Sequence, residues 1–244
     1  PLRDLAYTIE KSKKGRNIII LGEDQKVYFE QMKQALILLK KPYPEVVHYS
    51  FVLLKGGGKM STRRGELVLL EEFLNQAKQK AKKGIKERKT KGDANKVAIA
   101  AVKYAMLRNE NNKNIIFDIN ESLRFEGDTG PYLQYTYARA SSIIRKCKSK
   151  KTNMKIENLT KQEIALIKKI SKFPEIVKDS GKQMNPALIA NYSHELAQTF
   201  NEFYHNCKVL GDKNEAFRLR LIDSFRTCLK NALHLLGIEV MEEM

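Results

Sequence analysis

The sequence predicts an α/β half-domain followed by an all-α helical bundle. Three observations predict it. Short β-branched runs alternate with helical periods over residues 1–54, a glycine-rich basic loop follows the last of those runs, and helical periodicity continues almost unbroken from Lys96 to the end. The boundary is expected near residue 120, giving domains over 1–120 and 121–244.

Residues 1–16 carry Leu2, Leu5, Ala6 and Ile9 at helical spacing. The chain begins in mid-helix at Pro1 rather than at a Met, so a piece of a longer protein is expected. Asn17–Gly22 is a short β-branched run ending in Gly, which predicts a buried parallel strand. Residues 26–40 return to helical period through Val27, Phe29, Met32, Ala35, Leu36 and Leu39, and Pro42 and Pro44 stop that helix. His48–Leu54 predicts a second strand. Gly56, Gly57 and Gly58 open a loop expected to be mobile, and Val68–Ala81 has helical character.

From Lys78 to Lys91, Lys and Arg dominate around Gly84. A solvated, flexible loop and a contact to backbone phosphates both stay open for this run. Helices are then predicted over Val97–Leu107, Tyr132–Lys146, Lys161–Phe173, Pro186–Tyr204 and Glu215–Leu236. Pro186 suits a helix start, and Gly237 stands where a C-terminal Gly belongs. The lysine-rich segment Cys147–Asn158 reads as a loop.

Composition narrows the function. The formal net charge of +17 over 244 residues points to a polyanionic partner, nucleic acid or an anionic membrane surface. No apolar run reaches the roughly 18 residues a spanning helix needs, so nucleic acid is the stronger reading and no membrane association is expected. Three widely spaced cysteines and four scattered histidines give neither a disulfide frame nor a metal cluster, and no metal site is expected. The cysteine usage fits a reducing, cytoplasmic setting.

Two motifs carry chemistry. Lys59-Met60-Ser61-Thr62-Arg63-Arg64-Gly65 follows three glycines just after a predicted strand. Glycines permit close backbone approach, and the cations suit charge developing on a triphosphate. In Phe125-Glu126-Gly127-Asp128-Thr129-Gly130-Pro131-Tyr132-Leu133-Gln134-Tyr135, the Gly, Asp, Thr and Pro residues predict a turn capping a helix. On that helix Tyr132, Tyr135, Arg139 and Ser142 share one stripe, and Leu133, Ala140 and Ile144 another that faces inward. Two aromatics beside an Arg make a platform for unstacked bases, although half-buried core tyrosines are equally ordinary.

The first motif resembles the KMSKS signature of class I aminoacyl-tRNA synthetases. Its form with Thr62 and Arg63 is similar to that of the arginyl enzymes, whose fold has a Rossmann-type catalytic domain and a helical anticodon-binding domain. Thr62 stands where many members carry Lys, which leaves the cationic role to Lys59, Arg63 and Arg64. By this resemblance Lys59, Met60, Ser61, Arg63 and Arg64 are catalytic. The loop closes over ATP, supplied with Mg2+ as a substrate, and Lys59 and Ser61 contact it.

Leu21-Gly22-Glu23-Asp24-Gln25 resembles the nucleotide and amino-acid element of the class. It implies ATP binding by Gly22 and Asp24 and arginine binding by Gln25. Leu2-Arg3-Asp4-Leu5-Ala6-Tyr7 resembles the segment whose Asp, here Asp4, binds the arginine guanidinium. The G-D-T-G-P-Y run, Phe200–Leu210 and the last ten residues resemble the anticodon-binding domain. They imply anticodon contacts from Tyr132, Tyr135, Arg139, Arg145, Tyr204 and Met244.

The partners implied are tRNA(Arg), arginine and ATP, with a cytoplasmic monomer expected. The other class I signature, H-I-G-H, is absent from this sequence, so the chain by itself is not expected to activate arginine. Three rivals remain at this level. They are a non-catalytic RNA-binding module, a cysteinyl-tRNA synthetase, which would need a zinc site that no Cys/His cluster in the sequence supplies, and a basic helical scaffold for any polyanion.

Overall fold

The computed structural model of the chain describes residues 2–55, 70–147 and 158–244. Its elements are α1 (Leu2–Ser12), β1 (Ile18–Gly22), a 3-10 turn (Glu23–Gln25), α2 (Lys26–Leu38), β2 (Glu45–Tyr49), β3 (Val52–Leu54), α3 (Leu70–Glu87) and α4 (Ala94–Leu107). There follow β4 (Ile115–Phe117), α5 (Ile119–Ser122), α6 (Gly130–Lys146), α7 (Lys161–Ser171), α8 (Phe173–Gln183), α9 (Ala187–Asn206) and α10 (Glu215–Leu235). The described residues form two compact units. One holds 2–55 with Asn109–Ile116, and the other holds 70–108 with Phe117–Met244.

In the first unit β1 and β2 pair in parallel, in register from Ile18 with Glu45 to Gly22 with Tyr49, and α2 makes the connection between them. Parallel strands require such a crossover. Phe29 and Leu36 of α2 are buried. The helix ends before the prolines: Lys40 takes a left-handed φ of 51°, and the Lys41 N–H reaches back to the Leu36 carbonyl at 2.9 Å. Those features close the helix as a Schellman motif. The expectation that β1 is buried on both faces is corrected. Ile18 and Ile20 are exposed, because only one face of this short sheet is covered. The single strand expected over His48–Leu54 is also corrected. The Ser50 N–H donates to Asn111 O (2.9 Å) and the Phe51 N–H to Asn114 Oδ1 (3.1 Å), so the chain breaks between β2 and β3.

The second unit is helical. Leu133 and Tyr137 of α6, Leu196, Phe200 and Phe203 of α9, and Ile222, Phe225 and Leu229 of α10 make its main core. A second cluster joins Ala77 and Ala81 of α3 to Val97 and Ala98 of α4, with Phe125 and Met241. The Lys78–Lys91 run is therefore helical as far as Glu87, which corrects the loop reading. Its one alanine, Ala81, packs inward together with the preceding Ala77, and its lysines lie on the exposed face. The single helix expected over Lys161–Phe173 stops at Ser171, and α8, missing from the expectation, begins at Phe173. Pro174 cannot donate to the carbonyl four residues back, which forces the break.

The start of α6 is fixed by the Gly127–Pro131 turn. Gly127 has φ +79°. Thr129 caps the helix, its hydroxyl oxygen accepting from the Tyr132 N–H at 3.2 Å. Asp128 accepts from the Tyr104 hydroxyl (2.5 Å) and from Arg108 (3.0 Å). Burial, helped by Asp128, pushes the Tyr104 phenol well above its ordinary pKa, so it stays a donor. Gly130 lies against α4 so closely that an added Cβ would sit 2.3 Å from the Ala100 carbonyl oxygen.

Behind this core, Glu163 is fully buried and opens α7 in a capping box with Thr160. Arg218 Nε donates to its carboxylate at 2.7 Å. Burial alone would raise the Glu163 pKa. The hydrogen bonds from Arg218 and Thr160 outweigh burial and hold it below the ordinary glutamate value.

Two stability predictions follow from these contacts. Gly130→Ala should cost about 2–3 kcal/mol through overpacking against backbone. That corresponds to a fall in Tm of roughly 5–10 °C by calorimetry, and an unchanged Tm contradicts the close approach. Arg218→Met leaves Glu163 buried without its cation and should cost about 3–5 kcal/mol at neutral pH. The wild-type pair stabilises above the ordinary glutamate pKa and loses that contribution as the pH falls through the depressed folded value. In the variant, burial raises the Glu163 pKa, so the difference between the two proteins should narrow on acidification toward about pH 4. A gap in denaturation midpoints independent of pH overturns this.

Candidate nucleic-acid interface

The sequence-predicted groups fall into two sets, one in each unit. In the first unit Gly22 is buried at the carboxyl end of β1, the edge where ligands of open α/β sheets bind. The Asp24 carboxylate folds over it, so that a Cβ on Gly22 would meet Asp24 Oδ1 at 2.5 Å. Gln25 is exposed at the N-cap position of α2, with no side-chain capping bond. Asp4, on α1, accepts a hydrogen bond from the Tyr28 hydroxyl at 2.7 Å, which orients its carboxylate. Lys59, Met60, Ser61, Arg63 and Arg64 lie outside the described residues, as do most of the residues between Cys147 and Asn158.

In the second unit an open groove of about 940 Å³ gathers Tyr135, Arg139 and Arg145 of α6, Tyr204 of α9, and Met244. One face of α6 makes this possible. Leu133, Tyr137 and Ala140 turn into the core, while Tyr135, Arg139, Ser142 and Arg145, spaced by three or four residues, turn toward the groove. The guanidinium carbon of Arg139 lies 4.9 Å from the Tyr135 ring centroid and 5.5 Å from that of Tyr204. Those distances suit cation–π attraction to both rings.

Arg139 Nη1 also donates to Asn201 Oδ1 (2.7 Å), and Asn201 Nδ2 donates to the Tyr132 hydroxyl (2.7 Å). Tyr132 is thus not in the groove lining. Its ring lies 5.6 Å from His194, and it reaches Arg139 only through Asn201.

Tyr204 is the outer member of a ring stack. Phe225 and Phe200 stack at 4.0 Å and 7° in the core, and Phe200 stacks in turn on Tyr204 at 6.4 Å and 18°. The inner two rings are fully buried, and Tyr204 is 38% exposed. The core therefore holds an aromatic face at the groove before any ligand arrives.

Around the rings stand Lys89, Lys91, Lys146 and Lys208, and Glu243 is the one carboxylate of the lining among the described residues. Cations that meet phosphates, aromatic faces that stack bases and an open groove are what a single-stranded nucleic acid needs. Lys89 and Lys91 had left one signal in the sequence, the basic run that ends at Lys91. Asn201, Lys208 and Glu243 were marked only by lying in the Phe200–Leu210 and C-terminal segments, and each acquires its place through the packing of α9 and the C-terminal residues.

The last six residues are tied down over the bundle. Gln134 Nε2 donates to Glu239 O (2.7 Å), and the Tyr137 hydroxyl donates to Glu242 Oε1 (2.8 Å). Arg226 lies 3.3 Å from Glu242, and Met241 is buried. These contacts bring Met244 to the groove rim.

Comparison with known proteins finds matches for both parts of the chain. Residues 2–119 match the tRNA synthetases class I (R) catalytic domain, and residues 133–244 match the DALR anticodon binding domain. An arginine–tRNA ligase of Clostridium perfringens is 37% identical, the alignment covering 99% of this chain and 46% of the relative. One of Methanococcus aeolicus is also 37% identical, covering 99% and 45%. The solved structure of Thermus thermophilus arginyl-tRNA synthetase is similar with a TM-score of 0.85 at 31% identity, over 94% of this chain and 41% of that one. The Plasmodium falciparum arginyl-tRNA synthetase gives 0.81 at 26%, over 99% and 44%. The chain spans a little under half the length of the curated relatives it matches.

The ring face yields a prediction. Tyr204→Leu keeps apolar volume on Phe200 but removes the stacking surface. Binding of a single-stranded oligoribonucleotide, followed by fluorescence anisotropy, should weaken by about 1–3 kcal/mol with an unchanged Tm. Wild-type affinity in the variant shows that no base stacks there.

Proposed function

We infer that the chain belongs to the class I arginyl-tRNA synthetase family, since residues 2–119 match its catalytic domain and residues 133–244 match the DALR anticodon binding domain. On that footing we propose that it supplies the second half of the catalytic domain, to about residue 120, and the anticodon-binding domain of an arginine–tRNA ligase. In the reaction the arginine carboxylate attacks the α-phosphorus of ATP, giving arginyl-adenylate and pyrophosphate. A terminal ribose hydroxyl of tRNA(Arg) then attacks the adenylate carbonyl and releases AMP.

Asp4 and Gln25 hold arginine, a carboxylate being the natural partner of a guanidinium. Gly22 and Asp24 receive ATP, which arrives with Mg2+. The KMSKS-like loop, through Lys59, Met60, Ser61, Arg63 and Arg64, meets the triphosphate, and its cations offset charge as pyrophosphate leaves. Tyr132, Tyr135, Arg139, Arg145, Tyr204 and Met244 recognise the anticodon. Tyr135 and Tyr204 do so as stacking faces, Arg139 between them as a donor, and Tyr132 by holding Arg139 through Asn201. The protein works as a cytoplasmic monomer, away from membranes.

The observation that carries this reading is the Tyr135–Arg139–Tyr204 cluster, open to solvent in the region that matches an anticodon-binding family. It is tested by binding the chain to tRNA(Arg), to tRNA(Arg) with its anticodon bases replaced and to an unrelated tRNA at near-physiological salt. Preference for the native anticodon is expected, and it should be lost in Arg139→Ala. Equal affinity for all three RNAs leaves only a basic surface and defeats the assignment. The H-I-G-H signature being absent from the sequence, the purified chain should show no arginine-dependent ATP–pyrophosphate exchange. Measurable exchange defeats that expectation.

A further inference from the structure

Among the described residues Glu243 is the one acidic side chain of the groove lining, which also holds Lys89, Lys91, Arg139, Arg145, Lys146 and Lys208. Glu243 accepts from Arg145 Nη1 through one carboxylate oxygen, and its other oxygen lies 3.5 Å from Lys91 Nζ. A phosphodiester spans two cations in the same way, with one non-bridging oxygen on each. The Arg145 hydrogen bond, with the charge of Lys91, holds the Glu243 carboxyl below the ordinary glutamate pKa, so it is an anion at neutral pH.

Among the described residues the Glu243 carboxylate pairs only with these two cations. The C-terminal residues are fastened independently, by Gln134 on the Glu239 carbonyl and by Tyr137 and Arg226 on Glu242. Arg145 also keeps a second bond, from Nη2 to Glu242 O at 3.2 Å. The Glu243 side chain is about half exposed, so it can swing outward while the backbone and Arg145 stay in place.

We infer that Arg145 and Lys91 form a subsite for a backbone phosphate of bound RNA, and that Glu243 fills it in the free protein as a built-in competitor that the RNA must displace. The inference rests on the groove being an RNA site and adds a residue that works against affinity. A competitor of this kind weakens every complex that uses the subsite by the same factor, so it lowers affinity while leaving the preference between RNAs unchanged.

The test uses the full chain and a fluorescently labelled anticodon stem-loop of tRNA(Arg), beside the same stem-loop with its anticodon bases replaced, titrated over a salt series. Glu243→Gln and Glu243→Ala should each bind both RNAs about threefold to tenfold more tightly than wild type. The salt slope should steepen by about one ion, because a phosphate then replaces counterions rather than a tethered carboxylate. In an Arg145→Met background the Glu243 substitutions should give no gain. Unchanged or weaker binding by both variants, or a gain that persists without Arg145, overturns the inference. If wild type fails to distinguish the two loops, anticodon recognition falls while a gain in the Glu243 variants still upholds the subsite. If no form binds RNA, both fall.

Discussion

The placement of α6 is the constraint on which the rest of the helical unit depends. That helix is core on one face and groove on another, so a small rotation would bury Arg139 or expose Tyr137. Its position is set at the first turn, where Gly130 touches the backbone of α4 and Asp128 is fixed by Tyr104 and Arg108. A side chain at 130 would hold the two helices apart, and an unfixed Asp128 would leave the cap at Thr129 without a fixed base. The Gly-Asp-Thr-Gly-Pro run is therefore architecture first. It presents Tyr135, Arg139 and Arg145 to the groove without itself lining it.

The groove is made ready by the core beneath it. Tyr204 rests on Phe200 and Phe200 on Phe225, so the aromatic face is held by buried rings. Arg139 is held by Asn201, which is itself paired to Tyr132. Ordering these groups before binding lowers the entropy cost of capturing a flexible single strand. Electrostatics set the other side of the balance. The cations of α6, α9 and the Lys89–Lys91 segment draw in any polyanion, and Glu243 tempers that attraction at the point where a phosphate would rest.

Local signals in the sequence were the legible ones. Turn and cap chemistry placed the start of α6, Gly237 marked the end of α10, and the β-branched run at 18–22 announced a parallel strand. What the sequence did not disclose depends on partners far along the chain. The break after β2 comes from residues 111–114, about sixty positions later. In α3, Gly84 and the dense lysines argue locally for a loop, yet Ala77 and Ala81 find a partner face on α4 and the helix continues. Tyr132 and Tyr135 share a stripe by spacing, but the rotation of α6 gives Tyr132 to Asn201 and His194 and leaves the groove to Tyr135. In the first unit the order of elements is visible in the sequence, while the exposure of Ile18 and Ile20 is not, because it depends on what covers the second face of the sheet.

In the proposed complex, single-stranded bases of the anticodon loop meet Tyr135, Arg139 and Tyr204. The most direct measurement is photocrosslinking of tRNA(Arg) carrying a thiouridine in that loop to the chain, with the adducts located by peptide mass spectrometry. Adducts are expected on the peptides that contain Tyr135 and Tyr204. Adducts confined to the exposed lysine face of α3 or to residues 2–55 would contradict that complex.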